Sequence, residues 1–318
     1  MATALAKEGF PCFAGSVIKK SGNGVLKGVS RSFYLSLRLL PREMRAAASL
    51  GYLLARSSDT IADVSSVPVE LRKQALSSFR QAVAEDLPAP RWPLALLNGV
   101  TDLRERHLLE TADDCLAWLR ALPRGEASLI KQMLDTILSG QELDLERFSE
   151  ASASQPVALM NAGELEDYAW RVAGCVGAFW TKLGFQTLGG RFSEADPAVL
   201  EQQGILYGKG LQLVNILRDL PVDLASGRCY LPVADSGNRE DLLRCHAEWV
   251  EKAKDYVAAG ETYADSLRLR RLRAASRLPA LIASRTLARL EGIEWPALSA
   301  RVKVPRYQVY GMVLKSLR

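Results

Sequence analysis

Only two histidines, His107 and His246, occur in 318 residues. Neither belongs to an H-E-x-x-H pair, and no serine sits in a G-x-S-x-G turn. Zinc hydrolysis and serine-triad catalysis therefore lack their reacting groups, and each histidine reads as structural or exposed. No G-x-G-x-x-G follows a strand pattern, so a Rossmann-type nucleotide unit is not expected. Five cysteines (Cys12, Cys115, Cys175, Cys229 and Cys245) are scattered and never spaced C-x-x-C. They read as reduced thiols in a cytoplasmic setting. No apolar run nears about 18 residues, so a membrane-spanning helix is not expected. The start, "MATALAKEGFPCFAGSVIKK", lacks the basic opening and apolar centre of a secretory signal. Zinc-finger spacings and aromatic RNA-binding signatures are missing, and nucleic acid is not an expected partner. Any chemistry must rest on carboxylates, arginines and tyrosines.

What is present is helical. Ile130, Met133, Leu134, Ile137 and Leu138 recur at i, i+3, i+4, i+7 and i+8. Leu165, Tyr168, Ala169, Val172, Ala173 and Val176 do so again. Alternating β-branched runs bounded by hairpin turns do not occur. Pro-, Gly- and Ser-rich breaks fall at 65–68, 87–93, 122–127, 149–156, 187–197 and 233–241. Asp196-Pro197 has the form of an N-cap followed by proline at the first helical position. The pattern predicts one all-α domain of about eight to twelve helices. The net charge of +5 is concentrated at 266–290, where seven arginines meet no acid. A solvated helix face is the first reading of that stretch, and an anionic membrane surface the second.

Two acidic stripes interrupt this background. In "GYLLARSSDTIAD" (51–63) Tyr52, Arg56, Asp59 and Asp63 lie within about 60° on a helical wheel. Like charges at i, i+4 repel by about 0.2–0.5 kcal/mol, so Asp59 and Asp63 are either a plain surface pair or a place for a cation. In "GLQLVNILRDLPVDLASGRCYLP" (210–232) Gln212, Asn215, Asp219 and Asp223 span about 80°, while Leu213, Leu217 and Leu220 share another face. Pro221 is expected to kink or end this second helix. If the two helices face each other, four carboxylates line one cavity. Mg²⁺ takes one or two carboxylates together with substrate phosphates, and arginines suit the remaining phosphate oxygens. The pattern is that of metal-bridged diphosphate binding.

Four segments, "SRSFYLSLRLLP" (30–41), "YLLARSSDTIAD" (52–63), "YAWRVAGCVG" (168–177) and "QLVNILRDLPVDLASGRCYLP" (212–232), resemble in order the blocks of the squalene and phytoene synthase family. The resemblance implies a single isoprenoid-synthase-type helical domain with a central cavity over 25–318, behind an N-terminal extension, 1–24. By matching position it implies that Asp59, Asp63, Asp219 and Asp223 hold Mg²⁺, with Asn215 beside them. Ser30, Arg31, Arg56, Arg218 and Arg228 would contact diphosphate, and Tyr52, Tyr168, Gln212 and Phe33 would line the reacting centre. Tyr168 serves equally well as a core aromatic. Gly174 and Gly177 imply close helix packing that leaves room for a prenyl chain. Many relatives carry a further acid in each motif, where this chain has Ala62 and Val222.

The "DTIAD" form resembles squalene synthases, which join two farnesyl diphosphates and reduce the product with NADPH. "ARVKVPR" (300–306) resembles their basic cofactor segment, implicating Lys303 and Arg306 in cofactor binding, to which the resemblance at 212–232 adds Asn215 and Arg228. Phytoene or dehydrosqualene synthesis without a reductant is the enzymatic alternative. A non-catalytic assembly protein of the same fold is the alternative from another class.

Overall fold

The structure, a computed structural model, describes residues 37–305, 307–309 and 311–312. Ser30, Arg31, Phe33 and Arg306 lie outside the described residues. Proline starts many of the helices. Pro41, Pro68, Pro93 and Pro123 stand directly before α1 (Arg42–Asp63), α2 (Val69–Ala84), α3 (Leu94–Gly99) and α6 (Arg124–Arg147). The fixed proline φ turns an extended backbone into the first helical turn at little entropic cost. Between them lie α4 (Leu103–Glu110), capped by the Asp102 carboxylate, and α5 (Ala112–Ala121). Helix α9 (Pro197–Ala225) starts as its sequence predicts. Asp196 accepts from the amides of Ala198 and Val199 at 3.0 Å, with Pro197 at the first position.

The remaining long helices are α8 (Cys175–Leu188), α10 (Arg239–Asp265) and α11 (Arg270–Leu290), with a short α12 (Trp295–Ser299) behind them. Of the described residues, 75% are helical. Helix α1 packs on α6 and α8, α8 on α9, and α9 on α10. The predicted apolar stripes are the ones buried. Leu50, Leu54, Ile61, Ile130 and Leu134 share one core, and Leu213, Leu217 and Leu220 belong to a second with Val250 and Leu287. Helices α8 and α9 touch backbone to backbone where these cores meet. A Cβ on Gly177 would overlap the Gly204 carbonyl, and one on Gly208 the Ala173 carbonyl.

Three features depart from simple periodicity. The stripe from Leu165 to Val176 is two helices joined by a π-helical turn: α7 (Ala162–Ala169), the turn Trp170–Gly174, then α8. Such turns add a residue to one helical repeat and often stand at functional sites. A two-residue parallel pair, β1 (Val157–Ala158) with β2 (Arg228–Cys229), sets Val157 opposite Arg228. Gly227, with φ of +85°, turns the chain out of α9 into β2.

The third departure corrects the reading of Pro221. Helix α9 neither ends nor breaks there; it continues to Ala225. Proline cannot donate to the carbonyl four residues back, which is that of Leu217. The buried His246 on α10, only 2% exposed, supplies the missing partner, its Nε2 lying 3.1 Å from the Leu217 oxygen. Burial lowers the pKa of His246 and keeps the ring neutral, with Nε2 as donor. His246→Leu leaves the Leu217 carbonyl buried without a donor, and we expect a loss of about 1–3 kcal/mol in urea unfolding. The depressed folded pKa means that this group's contribution is lost as pH falls below 6.5. The acid side of the wild-type stability profile should therefore flatten in the variant. The same change at exposed His107 is expected to leave the midpoint unmoved.

Candidate active site

The C-terminal half of α1, the C-terminal end of α6, the end of α7 and the middle of α9 surround a cavity of about 230 Å³. Asp59 and Asp63 enter it from α1, Gln141 and Asp144 from α6, Tyr168 from α7, Gln212 from α9, and Arg228 and Tyr230 from the β2 segment. An apolar cavity of about 180 Å³ adjoins it, lined by Val176, Gly177, Trp180, Gly204, Tyr207 and Leu211 among others. Val172 lines both. A polar chamber and a greasy one thus adjoin at Val172, the greasy one lying between α8 and α9 where the glycines leave space.

The polar chamber holds negative charge that the protein does not fully compensate. Asp59 Oδ1 accepts from Gln141 Nε2 at 2.6 Å, and Arg56 stands 3.8 Å from Oδ2 while its other nitrogen is paired with Glu105. The Asp59 side chain keeps 45% of its surface open to the cavity, yet it lies deep within the protein. Enclosure, reinforced by the charge of Asp63, pushes Asp59 up to about 7. Asp63 is raised too, by enclosure first, with Arg228 and Arg56 pulling the other way. Asp223 rises to about 7 through burial and the neighbouring Asp219, and it also feels Asp144 and Asp63 across the cavity. Gln212 of the second stripe lines the same cavity as Asp59 and Asp63 of the first, a juxtaposition that a helical wheel cannot reveal.

Arginines and tyrosines close the chamber. Burial disfavours the Arg228 charge, but Tyr230, Asp144 and Asp63 more than offset it and raise its pKa. Its guanidinium lies 3.7 Å from Asp144 Oδ2. Arg72 is tied to the Ala62 carbonyl at 2.6 Å, directly behind Asp63. Arg218 forms two hydrogen bonds with Asp219. Tyr168 and Tyr230 stack with ring centroids 4.8 Å apart and planes 21° from parallel.

Asp59, Asp63, Tyr168, Gln212 and Arg228, predicted from sequence, share one cavity wall, with Asp219 and Asp223 continuing the stripe on α9. Asn215 is exposed on α9 and Tyr52 packs half-buried against the first core. Arg56 and Arg218 already hold carboxylates. Lys303 is exposed, its carbonyl held by Arg289 at 2.5 Å, and it does not line the cavity. Gln141, Asp144 and Tyr230 escaped the sequence reading. For Gln141 and Asp144 the signal is in "SGQELDLER" (139–147): the buried repeat through Ile137 and Leu138 runs on into Gln141, Asp144 and Leu145, placing polar groups on an apolar stripe.

These residues fit a divalent cation. Burial disfavours the charges of Asp59, Asp63 and Asp223, with Asp63 adding to the effect at Asp59 and Asp219 at Asp223, and Gln141, 7% exposed, keeps its Oε1 buried without a partner beside Asp59. Among the described residues no three His, Cys, Asp or Glu side chains converge tightly enough to hold an ion unaided. That suits Mg²⁺, which takes one or two carboxylates and fills its octahedron with phosphate oxygens and water.

The squalene/phytoene synthase family model matches residues 26–308. The chain belongs to the squalene/phytoene synthase family. Within this family it is 29% identical over 205 residues to a presqualene diphosphate synthase of Zymomonas mobilis, covering 64% of this chain and 56% of that protein. It is 32% identical over 201 residues to a presqualene diphosphate synthase of Rhodopseudomonas palustris, covering 63% of this chain and 58% of that protein. The match thus spans little more than half the length of these curated relatives. Among solved structures, a TcSQS ligand complex superposes with a TM-score of 0.77 at 23% identity, over 94% of this chain and 86% of that one. A squalene synthase, HpnC, from Alicyclobacillus acidocaldarius gives 0.61 at 18% identity, over 95% and 97%. These likenesses establish the all-α fold of the squalene synthase type. The family is of prenyltransferase type and generally uses Mg²⁺ to bind prenyl diphosphates.

Arg228 offers a direct test of diphosphate binding. A clamp that grips phosphate with a planar fork is not reproduced by lysine. Arg228→Lys should lower kcat/KM roughly tenfold or more, the scale of one lost charge-assisted hydrogen bond, with thermal melting little changed. An unaltered kcat/KM would return this arginine to a purely structural role beside Asp144.

Proposed function

We propose that the chain joins two molecules of farnesyl diphosphate head to head, with Mg²⁺, to a cyclopropyl diphosphate of the presqualene type. The carrying observation is the single chamber lined by Asp59, Asp63, Gln212 and Arg228, with Asp219 and Asp223 following Gln212 along α9 and an apolar cavity adjoining at Val172. Bound Mg²⁺ would neutralise the diphosphate and stabilise it as a leaving group. The four aspartates, with Asn215 beside them, present the oxygens for it. Arg228 takes a phosphate oxygen, and Arg56 and Arg218 exchange Glu105 and Asp219 for phosphate as substrate enters. Gln212 orients the diphosphate end. The stacked faces of Tyr168 and Tyr230 border the carbon skeleton, where an aromatic face stabilises a desolvated cation by about 2 kcal/mol. Val172, Val176 and Leu211 exclude water from the prenyl tails. Ser30, Arg31 and Phe33 are assigned to the first diphosphate on their motif alone.

The deciding experiment incubates purified protein with Mg²⁺ and farnesyl or geranylgeranyl diphosphate, with and without NADPH, and identifies the products. Cyclopropyl diphosphate from farnesyl diphosphate, with pyrophosphate released only when Mg²⁺ is present, supports the proposal. A 40-carbon hydrocarbon made preferentially from the geranylgeranyl substrate establishes phytoene synthesis instead. Folded protein that releases no pyrophosphate from either substrate favours the assembly-protein reading. A second reading continues to squalene with NADPH. What favours it is the exposed Lys303, whose backbone Arg289 anchors to α11, with Arg306 assigned beside it from the motif. Conversion of the cyclopropyl diphosphate to squalene on adding NADPH, weakened by Lys303→Ala, would establish that reading.

A lipid-soluble product gives membrane contact a purpose. Among the described residues no helix is long and apolar enough to cross a membrane. Most arginines of 266–290 hold local partners: Arg268 with Glu194, Arg277 with Asp265, and Arg273 with the Leu267 carbonyl. The surface we assign to anionic lipid is the groove where Arg42, Arg45, Arg270 and Arg271 gather around Leu39, Leu40 and Leu269. Basic groups near such a surface contribute about 1 kcal/mol each. Sedimentation with anionic vesicles at low salt, lost as salt rises, is the expected result. Equal sedimentation with neutral vesicles would refute it.

A further inference from the structure

We propose that Asp144 is the final proton acceptor of the condensation, reached from the cavity through a Tyr168–Tyr230 relay. This rests on the cyclopropane-forming reaction proposed above. Tyr230 donates its hydroxyl proton to Asp144 Oδ2 at 2.8 Å, and Tyr168 donates to the Tyr230 oxygen at 3.5 Å. The direction of this chain follows from counting protons. An ionised carboxylate only accepts, so the single Tyr230 proton points at Asp144. The Tyr230 oxygen can then only accept, and the Tyr168 proton points at Tyr230. The remaining lone pair of Tyr168 is left to the cavity that Tyr168 lines. Catalytic contacts of this kind are often long in unliganded enzymes and tighten around substrate.

Asp144 is suited to the end of such a chain. Its Oδ1 is buried without a hydrogen-bond partner, and Arg228 approaches Oδ2 only to 3.7 Å. An under-solvated carboxylate is a stronger base than one saturated with donors. Burial first, with the charge of Asp63 adding to it, raises Asp144 to about 6, against the opposing pull of Tyr230, Arg228 and Arg147. The tyrosines do not hold the charge themselves: burial raises both well above the usual phenol value, so they pass protons in concert. In the step, the allylic carbon of the first substrate alkylates one end of the second substrate's double bond and leaves the cation at the other end. A C–H bond on that allylic carbon, two bonds from the cationic centre, then breaks and its electron pair bonds to the centre, closing the cyclopropane ring. The proton goes to the Tyr168 oxygen as Tyr168 protonates Tyr230 and Tyr230 protonates Asp144. One carboxylate becomes a carboxylic acid, nothing is oxidised or reduced, and the proton returns to water when product leaves.

The test uses the purified full chain with Mg²⁺ and farnesyl diphosphate, measuring pyrophosphate release, cyclopropyl diphosphate and prenyl alcohols. Wild type should form one cyclopropyl diphosphate per pyrophosphate. In Tyr230→Phe, which keeps the ring stack and removes one hydroxyl, and in Asp144→Asn, that ratio should fall roughly 100-fold or more, the lower end of the range for a general base. Alcohols from water capture of the undischarged cation should take its place, and Asp144→Glu should restore part of the ratio. A merely structural role would lower all products together and leave the ratio near one, which would overturn the proposal, as would an unchanged ratio in folded Tyr230→Phe. If Asp144→Asn does not fold, Tyr230→Phe decides. Wild type that makes no cyclopropyl diphosphate overturns the condensation reading itself, a result distinct from a changed ratio in the variants.

Discussion

Asp59→Asn and Asp219→Asn should each reduce turnover roughly 100-fold or more, given that even the outer partners of metal ligands cost 10–100-fold. The amide keeps the shape of the side chain and, at Asp59, an oxygen to accept from Gln141. What it loses is the charge that a divalent cation needs. Folding should not suffer, and at Asp59 the effect on stability has a defined pH dependence. Asp59 is raised from 3.8 to about 7 in the folded protein. The folded state holds that proton more tightly than the unfolded chain. The group's stabilising contribution is therefore complete below 3.8 and lost as pH rises through about 7. Asparagine carries no such proton, so Asp59→Asn should melt progressively higher relative to wild type as pH climbs through that window. Adding Mg²⁺ with pyrophosphate should raise the wild-type Tm by mass action and shift the variant less. A folded Asp59→Asn variant with wild-type turnover would remove the acidic wall from the reaction.

Gly177→Ala should lower stability by about 2 kcal/mol or more, at the upper end for overpacking a filled interior. Alanine is the better helix former by about 1 kcal/mol, so on local grounds the change would be favourable. The contact reverses that sign. The new methyl meets the Gly204 carbonyl, a backbone group inside α9 that cannot rotate aside. Separating α8 from α9 would also loosen the Gly208–Ala173 contact one turn along. Because Gly177 and Gly204 line the apolar cavity, the surviving folded fraction should show a raised KM for prenyl diphosphate. Gly190→Ala is the control: nothing lies within 4 Å of a Cβ there, and the urea midpoint should hardly move. Equal midpoints for the two variants would show that the α8–α9 contact relaxes freely.

The features legible in the sequence are those whose cause is local. Asp196-Pro197 caps α9 because an N-cap and its amides are two and three residues apart. Leu213, Leu217 and Leu220 are buried because one helical face repeats every few residues. Asp59 and Asp63 were conspicuous because like charges on one face carry a cost that invites a reason. Pro221 does not end α9 for the complementary reason: its local rule is sound, but the compensating donor, His246, is 29 residues from Leu217. Nothing within one helical turn announces it.

The sequence by itself determined the helices, their buried faces, the two acidic stripes and the family blocks that carry them. It did so because periodicity, capping and motif spacing are written over a few turns of chain. Only the tertiary structure decided that the stripes meet at one cavity and that Gln141, 82 residues away, reaches Asp59. It likewise decided that Tyr230 reaches Asp144, 86 residues away. The acidity of these carboxylates belongs to the same class. It depends on which helices enclose them and which charges lie across the cavity, and burial and Coulomb interaction act through space rather than along the chain.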